Sequence, residues 1–198
     1  MPALSSVRAL VLEEALVSEK DVITIWLGQE AMDLVSGTAK RAEIGGRSRI
    51  REDADRFANL RVDQMVGQLG QLALHRYWYG HDWEYRRGRA LQDKYPGIGD
   101  GGCDLPLANV DVKASLLRSG RELLEHHLLV RPAERHEGWV YVLALVTISA
   151  QESGKVDLVG WASEAMLPTE PVRMGILEGA FALPAQKLNP LPPVIWLA

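Results

Sequence analysis

Residues 103–115 read CDLPLANVDVKAS, and the reading of this stretch decides the architecture around it. Three charged residues, Asp104, Asp111 and Lys113, stand among residues with the composition of sheet core. Charged side chains in such company need a partner or a task. Side chains alternate between the faces of a strand. In VDVKA, Val110 and Val112 point one way, and Asp111 and Lys113 the other. In CDLPL, Cys103, Leu105 and Leu107 share a face, with Asp104 and Pro106 opposite. With Ala108-Asn109 as a two-residue turn, Leu107 pairs with Val110, Leu105 with Val112 and Asp104 with Lys113. The apolar groups then lie on one side, and Asp104, Asp111 and Lys113 on the other. A longer loop shifts the pairing, but a shift by two keeps the faces. Ala-Asn is not the strongest turn signal, and Pro106 implies a bulge or an outward N–H side.

Two converging carboxylates repel and lose hydration. A divalent cation relieves both problems, and oxygen ligands favour Mg²⁺ or Mn²⁺. Asp104 and Asp111 are therefore candidate metal ligands, with the Val112 carbonyl as a further one. Lys113, two residues on, can position a water or stabilise charge developing on phosphorus. The competing reading is an Asp104–Lys113 cross-strand ion pair on a solvated face, with Asp111 beside it. Such pairs are common and worth little.

Upstream, RVDQMVGQLGQLALHRYWYG (residues 61–80) is a helix. Val62, Met65, Val66, Leu69, Leu72, Ala73 and Tyr77 fall at helical spacing, and Gly80 is the expected stop. Gly67 and Gly70 each cost about 1 kcal/mol relative to Ala, which close packing on a sheet would justify. Residues 7–19 and 23–35 show two apolar helical patterns, and the charged stretch 39–56 reads as a loop. Residues 81–102 read as a long connection with a Gly-rich end. Downstream, residues 118–127 form a helix or connection. WVYVLALVTIS (residues 139–149) is a central strand buried on both faces. KVDLVGWA (residues 155–162) is a further strand, followed by a short helix at SEAML with Ser163 as N-cap. The tail from residue 183 is Pro-broken and extended. The order predicts an α/β fold: a mixed central sheet flanked by helices.

The residues in the hairpin and the helix before it resemble the PD-(D/E)XK nuclease superfamily. In that pattern an Asp opens one strand and Asp/Glu-x-Lys follows on the next, as Asp104 and Asp111-Val112-Lys113 do here. Many members carry a Glu on the preceding helix within Gly-x-x-Gly-Glu. Here GQLGQLA (residues 67–73) has Gln71 at that place. The apolar strand and the Gly-Trp strand follow in the family's order, over about residues 62–190. The resemblance implies a restriction endonuclease-like core at residues 61–198, with residues 1–60 outside it as an N-terminal helical extension, and a Mg²⁺-dependent hydrolase of DNA phosphodiesters. Asp104 and Asp111 would ligate the metal, Lys113 would steer the water, and Gln71 would contribute an amide in place of a carboxylate. A neutral amide attracts Mg²⁺ less, which motivates a second reading: a degenerate nuclease fold serving as a DNA-binding or assembly subunit. Gln68 and His75 share the flank of Gln71 by helical spacing. A third reading is an unrelated α/β interaction domain.

Arg86, Arg87, Arg89 and Lys94 sit among Trp78, Tyr79, Trp83 and Tyr85. Cations interleaved with aromatics grip phosphates and stack on bases, so these are candidate DNA contacts, together with Arg118. The Gly-rich residues 97–102 lack the Gly-Lys-Ser/Thr of a nucleotide loop. His126 and His127 diverge on a helix and lack the further ligands of a zinc site. No Gly-x-Ser-x-Gly marks a serine hydrolase.

The 198 residues fit one domain. At 47% hydrophobic and 24% charged they afford a sizeable core. The net charge of −4 counts against a general nucleic-acid binder but not against a local basic cleft. One cysteine, Cys103, excludes an intrachain disulfide. Acids within the first apolar stretch make a poor signal peptide, and no run reaches the roughly 20 apolar residues of a membrane span. The expected location is cytoplasmic. Cutting both strands of DNA needs two sites, so a homodimer is the expected assembly.

Overall fold

The computed structural model describes residues 16–44, 56–94, 104–105, 109–117, 120–149, 153–173 and 179–193. A four-stranded mixed sheet lies at its centre, in the order β1–β5–β4–β2. β4 (Val140–Ile148) runs antiparallel to β5 (Gly154–Ser163) and parallel to β2 (Val110–Leu116), and β1 (Ile23–Leu27) closes the far side antiparallel to β5. Residues 141–146 of β4 are buried without a break, as the continuous apolar run predicts for a strand covered on both faces. One face carries Val112, Val142, Ala144, Val146, Val156 and Leu158 against α2 (Arg56–Tyr79). The other carries Tyr141, Leu143, Leu145 and Val159 against a two-stranded sheet of β3 (His127–Val130) and β6 (Phe181–Pro184). Each fully buried aliphatic side chain contributes about 1.5–3 kcal/mol, so these two clusters hold the layers together.

Helix α2 follows the expected pattern. Val66, Leu69, Leu72, Ala73 and Tyr77 are buried, while Val62, at the outer end of the stripe, is exposed. Gly80 ends the helix with φ 75° and donates its N–H to the Arg76 carbonyl at 2.9 Å. The two helical glycines differ. A Cβ on Gly70 would lie 2.7 Å from the Ala114 Cβ, so its absence lets α2 sit directly on β2; a Cβ on Gly67 would meet nothing within 4 Å.

Several elements depart from the sequence expectation. Residues 23–35 are not one helix. ITIWL is the edge strand β1, and α1 (Gln29–Ile44) begins after Gly28, whose carbonyl takes the N–H groups of Ala31 and Met32. Alternating β-branched and aromatic residues outweigh the helical spacing there. The stretch expected as an N-terminal extension thus supplies a strand of the central sheet, and Leu27, Ala31, Met32 and Val35 join the α2-side core. A division at residue 60 would pass through α2. α1 continues to Ile44, into the stretch read as loop. The long connection after Gly80 contains α3 (Trp83–Lys94). Among its described side chains, residues 83–90, only Tyr85 is buried, so little apolar periodicity marks the helix. In place of the expected helix at 118–127, the described residues 120–126 hold a 3-10 turn at Leu123–Glu125, and β3 begins at His127. A 3-10 turn, Glu164–Met166, replaces the expected short helix, and Ser163 makes no side-chain cap bond. Asn189 in the extended tail exchanges backbone hydrogen bonds with Trp161 of β5 at 2.8 and 2.9 Å. The tail thereby shares with β1 one edge of β5. The expected helix at residues 7–19 lies largely outside the described residues.

The turn between α2 and α3 is held by Arg76, whose Nε and Nη2 donate to the two Asp82 carboxylate oxygens at 2.5 and 2.8 Å. The Arg76 hydrogen bonds hold the Asp82 carboxyl below its ordinary value. A carboxyl depressed on folding stabilises the protein above its unfolded pKa, about 3.9, and loses that contribution as pH falls through the folded value. Asp82→Asn is therefore expected to lower stability at neutral pH by about 1–2 kcal/mol and to flatten the acid limb. Urea midpoints at pH 7 and pH 3 check this; an equal drop in variant and parent would count against it.

Candidate functional site

Strand β2 lies at the edge of the sheet, beyond β4. Its backbone parity sets the site. Val140 N–H donates to the Asn109 carbonyl and Leu117 N–H to the Val146 carbonyl. Odd-numbered residues therefore turn their backbone groups to β4, and even-numbered ones turn theirs outward. The outward N–H of Val112 is taken by Asp104 Oδ2 at 2.7 Å. Asp104 and Leu105 in turn donate their N–H groups to the Val110 carbonyl at 2.8 and 3.1 Å. Leu105 thus bridges Val110 rather than Val112, a shift of two from the expected register that corresponds to a longer loop. Asn109, at φ 49°, makes the left-handed turn into β2. The Val112 carbonyl shares the outward edge with the Asp104 carboxylate.

Asp111 and Lys113 share the face of β2 turned towards β3, as the alternation predicts. That face is not a solvated one: Asp111 is only 7% exposed. Lys113 Nζ lies 2.7 Å from Asp111 Oδ2 and 2.9 Å from Glu134 Oε2. Glu134 ends the turn Pro132–Glu134 after β3. The turn is fixed by buried Tyr141, whose hydroxyl donates to the Glu134 carbonyl and accepts from the His136 N–H. Burial pulls the Lys113 pKa down, but Asp111 and Glu134 outweigh it and the net shift is upward. Burial likewise raises Glu134, and Lys113 more than reverses this, leaving its carboxyl low. The group is a protonated ammonium between two carboxylates at neutral pH. Nothing in the local sequence marks Glu134, which meets Lys113 only because β3 crosses the sheet face.

On the other side, Gln71 Nε2 donates to Asp104 Oδ1 at 2.6 Å, and Gln71 Oε1 accepts from Arg89. A guanidinium only donates and an ionised carboxylate only accepts, so Arg89 fixes which end of the amide faces Asp104. His75 Nε2 lies 3.0 Å from the Asp104 carbonyl oxygen and must donate to it. Burial holds the His75 pKa low, so the ring is neutral. The Arg89 guanidinium stands 5.4 Å over the Tyr85 ring, and the Tyr85 hydroxyl donates to Gln68 Oε1 at 2.7 Å. α2 and α3 together therefore clamp Asp104 through side chain and backbone.

The structure divides the expected residues into two groups, Gln71 with Asp104 towards α2 and Asp111 with Lys113 towards β3, where the hairpin alternation expected Asp104, Asp111 and Lys113 on one side. They adjoin at Val112, whose N–H holds Asp104 and whose chain neighbours are Asp111 and Lys113. Lys113 pairs with Asp111 and Glu134, whereas the expected cross-strand register set it opposite Asp104. Arg86 and Arg87 lie on the surface of α3, with Glu30 at 2.8 Å and Glu84 at 3.8 Å respectively. Arg89, also expected as a DNA contact, turns towards Gln71. The Lys94 side chain, Arg118, Cys103, Pro106 and residues 97–102 lie outside the described residues.

The donors here are hard oxygens: two carboxylates and the Val112 carbonyl. This is the chemistry that takes Mg²⁺ or Mn²⁺ with water completing the shell. One feature departs from it. Gln71 presents its N–H₂ to Asp104, and its oxygen is held by Arg89, so in this arrangement it offers no ligand. Among the described residues, no cluster of three or more His, Cys, Asp or Glu side chains is placed to hold a metal ion. No helix there is long and apolar enough to cross a membrane. Comparison with known proteins finds no matching family model, no matching curated protein and no matching solved structure.

Proposed function

We propose that this chain is a metal-dependent DNA endonuclease that hydrolyses phosphodiester bonds. One observation carries the reading: Asp111 and Lys113 share a face of an edge strand, and Asp104 is anchored on the N–H of the residue between them. Asp104, Asp111 and the Val112 carbonyl would hold a Mg²⁺ or Mn²⁺ ion, which when bound supplies positive charge at the scissile phosphate. Lys113 stays protonated, so it serves as a fixed cation and hydrogen-bond donor to the attacking water or a phosphoryl oxygen, and not as a base. Asp111 and Glu134 hold the ammonium in place. The α2–α3 clamp holds Asp104 against β2. A homodimer working in the cytoplasm would place one such site on each DNA strand. The direct test is plasmid nicking with Mg²⁺, with Mn²⁺ and without metal, beside calorimetric titration of Mn²⁺. Purified protein that neither binds Mn²⁺ nor nicks plasmid with either metal would sink the reading.

Gln71 supports the second reading, a degenerate nuclease fold used as a DNA-binding or assembly subunit, because a donor amide faces Asp104 there. Gln71→Glu separates the two. It puts a second carboxylate against Asp104, and the two repel unless a cation lies between them. For a working metal site, Mn²⁺ affinity is expected to rise about tenfold, equivalent to ~1.4 kcal/mol. For a degenerate one, the variant is less stable and Mn²⁺ binds neither protein.

A further inference from the structure

A hollow of about 520 Å³ opens at the α2–α3 corner, lined by Arg76, Gly80, His81, Asp82, Trp83 and Arg86. Trp83 is 60% exposed at its rim. The His81 and Tyr79 rings stack beside it, 6.2 Å apart and tilted by 18°. Arg86 and Arg87 follow Trp83 at helical spacings of three and four, so they share its side of α3. Their guanidiniums have exchangeable partners. Arg86 meets Glu30, whose side chain is 85% exposed, and Arg87 lies 3.8 Å from Glu84. Solvated pairs of this kind contribute little, so a phosphate can replace the carboxylates. Arg76, which also lines the hollow, is neutralised by Asp82.

We propose that this corner is a stacking subsite for an unpaired base of single-stranded DNA. Trp83 provides the platform, and Arg86 and Arg87 take the flanking phosphates. An exposed indole with two solvated guanidiniums one turn away fits a single strand: every base has a π-face, and the backbone follows the cations. A base in a smooth duplex presents only its edge and cannot lie on the ring. The subsite deepens the endonuclease reading and rests on it for direction. Arg89, on the same helix, reaches Gln71 and so Asp104. From Trp83 to Arg89 is six residues, about 9 Å along the helix axis. A strand stacked on Trp83 that continues past Arg86 and Arg87 along α3 would reach the Asp104 end, and this path makes frayed, flapped or gapped DNA the substrate class.

The test is fluorescence anisotropy of labelled dT12 and of a blunt 12-bp duplex in EDTA, where no cleavage intervenes. The proteins are the full chain, Trp83→Ala, and Arg86→Ala with Arg87→Ala. The full chain is expected to bind dT12 at least tenfold tighter than the duplex. Trp83→Ala, at an exposed position that leaves the core untouched, is expected to lose about tenfold on dT12. The double arginine variant is expected to flatten the salt slope by about 1.4. Duplex binding as tight as dT12, no dT12 binding, or unchanged affinity in Trp83→Ala each overturns the subsite. If the parent still nicks plasmid with Mn²⁺ after such a result, the nuclease reading stands without the subsite. If stacking holds and no metal supports nicking, the subsite stands and the nuclease reading falls.

Discussion

Replacing Lys113 with alanine is expected to reduce plasmid nicking by about 10²–10³-fold, the loss typical of a fixed donor aimed at developing charge. The same change also destabilises the protein. Asp111 and Glu134 lie 2.7 and 2.9 Å from the Lys113 ammonium, and Asp111 is almost wholly buried. Without the cation, the buried Asp111 carboxylate faces the half-buried Glu134 carboxylate unpaired, and breaking a buried pair from one side costs about 3–5 kcal/mol. Loss of activity alone would thus be ambiguous. Adding Glu134→Gln resolves it, because it removes one of the opposed charges. Lys113→Ala with Glu134→Gln is expected to recover much of the lost thermal stability and none of the nicking. Asp111→Asn is a third arm: it keeps the shape, loosens Lys113 and is expected to abolish cutting. Melting temperature and nicking rate, measured on the same preparations, separate the effects. A double variant that regains both would make Lys113 a structural cation only, and Lys113→Ala nicking at the parental rate would remove it from the chemistry altogether.

The parts of this arrangement governed by local periodicity were legible in the sequence. Alternation put Asp111 and Lys113 on one face and Val110 and Val112 on the other, and helical spacing placed Gln71 and His75 on one flank of α2. The continuous apolar run of β4 announced burial on both faces. The illegible parts depend on long-range partners. β2 pairs in parallel with β4, and the intervening segment folds back through β3, so the meeting of Glu134 with Lys113 has no local trace. β1 was masked by an apolar spacing that suits a helix as well as a strand, and only the Gly28 break separates it from α1. α3 leaves little local trace because, among its described side chains, a buried tyrosine and its hydrogen bond to Gln68 do the anchoring that an apolar stripe does elsewhere. The inward turn of Arg89 follows from that helix.

The contact that joins fold to site is the one at Gly70, and it yields an opposite-sign pair of substitutions. Gly67→Ala is expected to stabilise the protein by up to about 1 kcal/mol, since it removes a helix-interior glycine and its Cβ meets nothing within 4 Å. Gly70→Ala gains the same propensity but places its Cβ 2.7 Å from the Ala114 Cβ, 3.2 Å from Val112 Cγ1 and 3.3 Å from the Ala144 Cβ. Two of those neighbours are Cβ atoms, which move only with the backbone, so α2 must lift from the sheet. Overpacking of this kind costs about 1–3 kcal/mol. Gly70→Ala is therefore expected to be net destabilising, and Gly70→Leu, with three further carbons to place, to lose about 3 kcal/mol. The displacement falls next to Gln71, whose 2.6 Å bond to Asp104 cannot follow a helix that moves outward by even a few tenths of an ångström without lengthening. Mn²⁺ affinity and nicking should then drop with stability in the Gly70 variants and remain parental in Gly67→Ala. Urea midpoints that shift the same way at both positions would show that α2 does not rest on β2 through Gly70, and would detach the clamp on Asp104 from the packing that holds it.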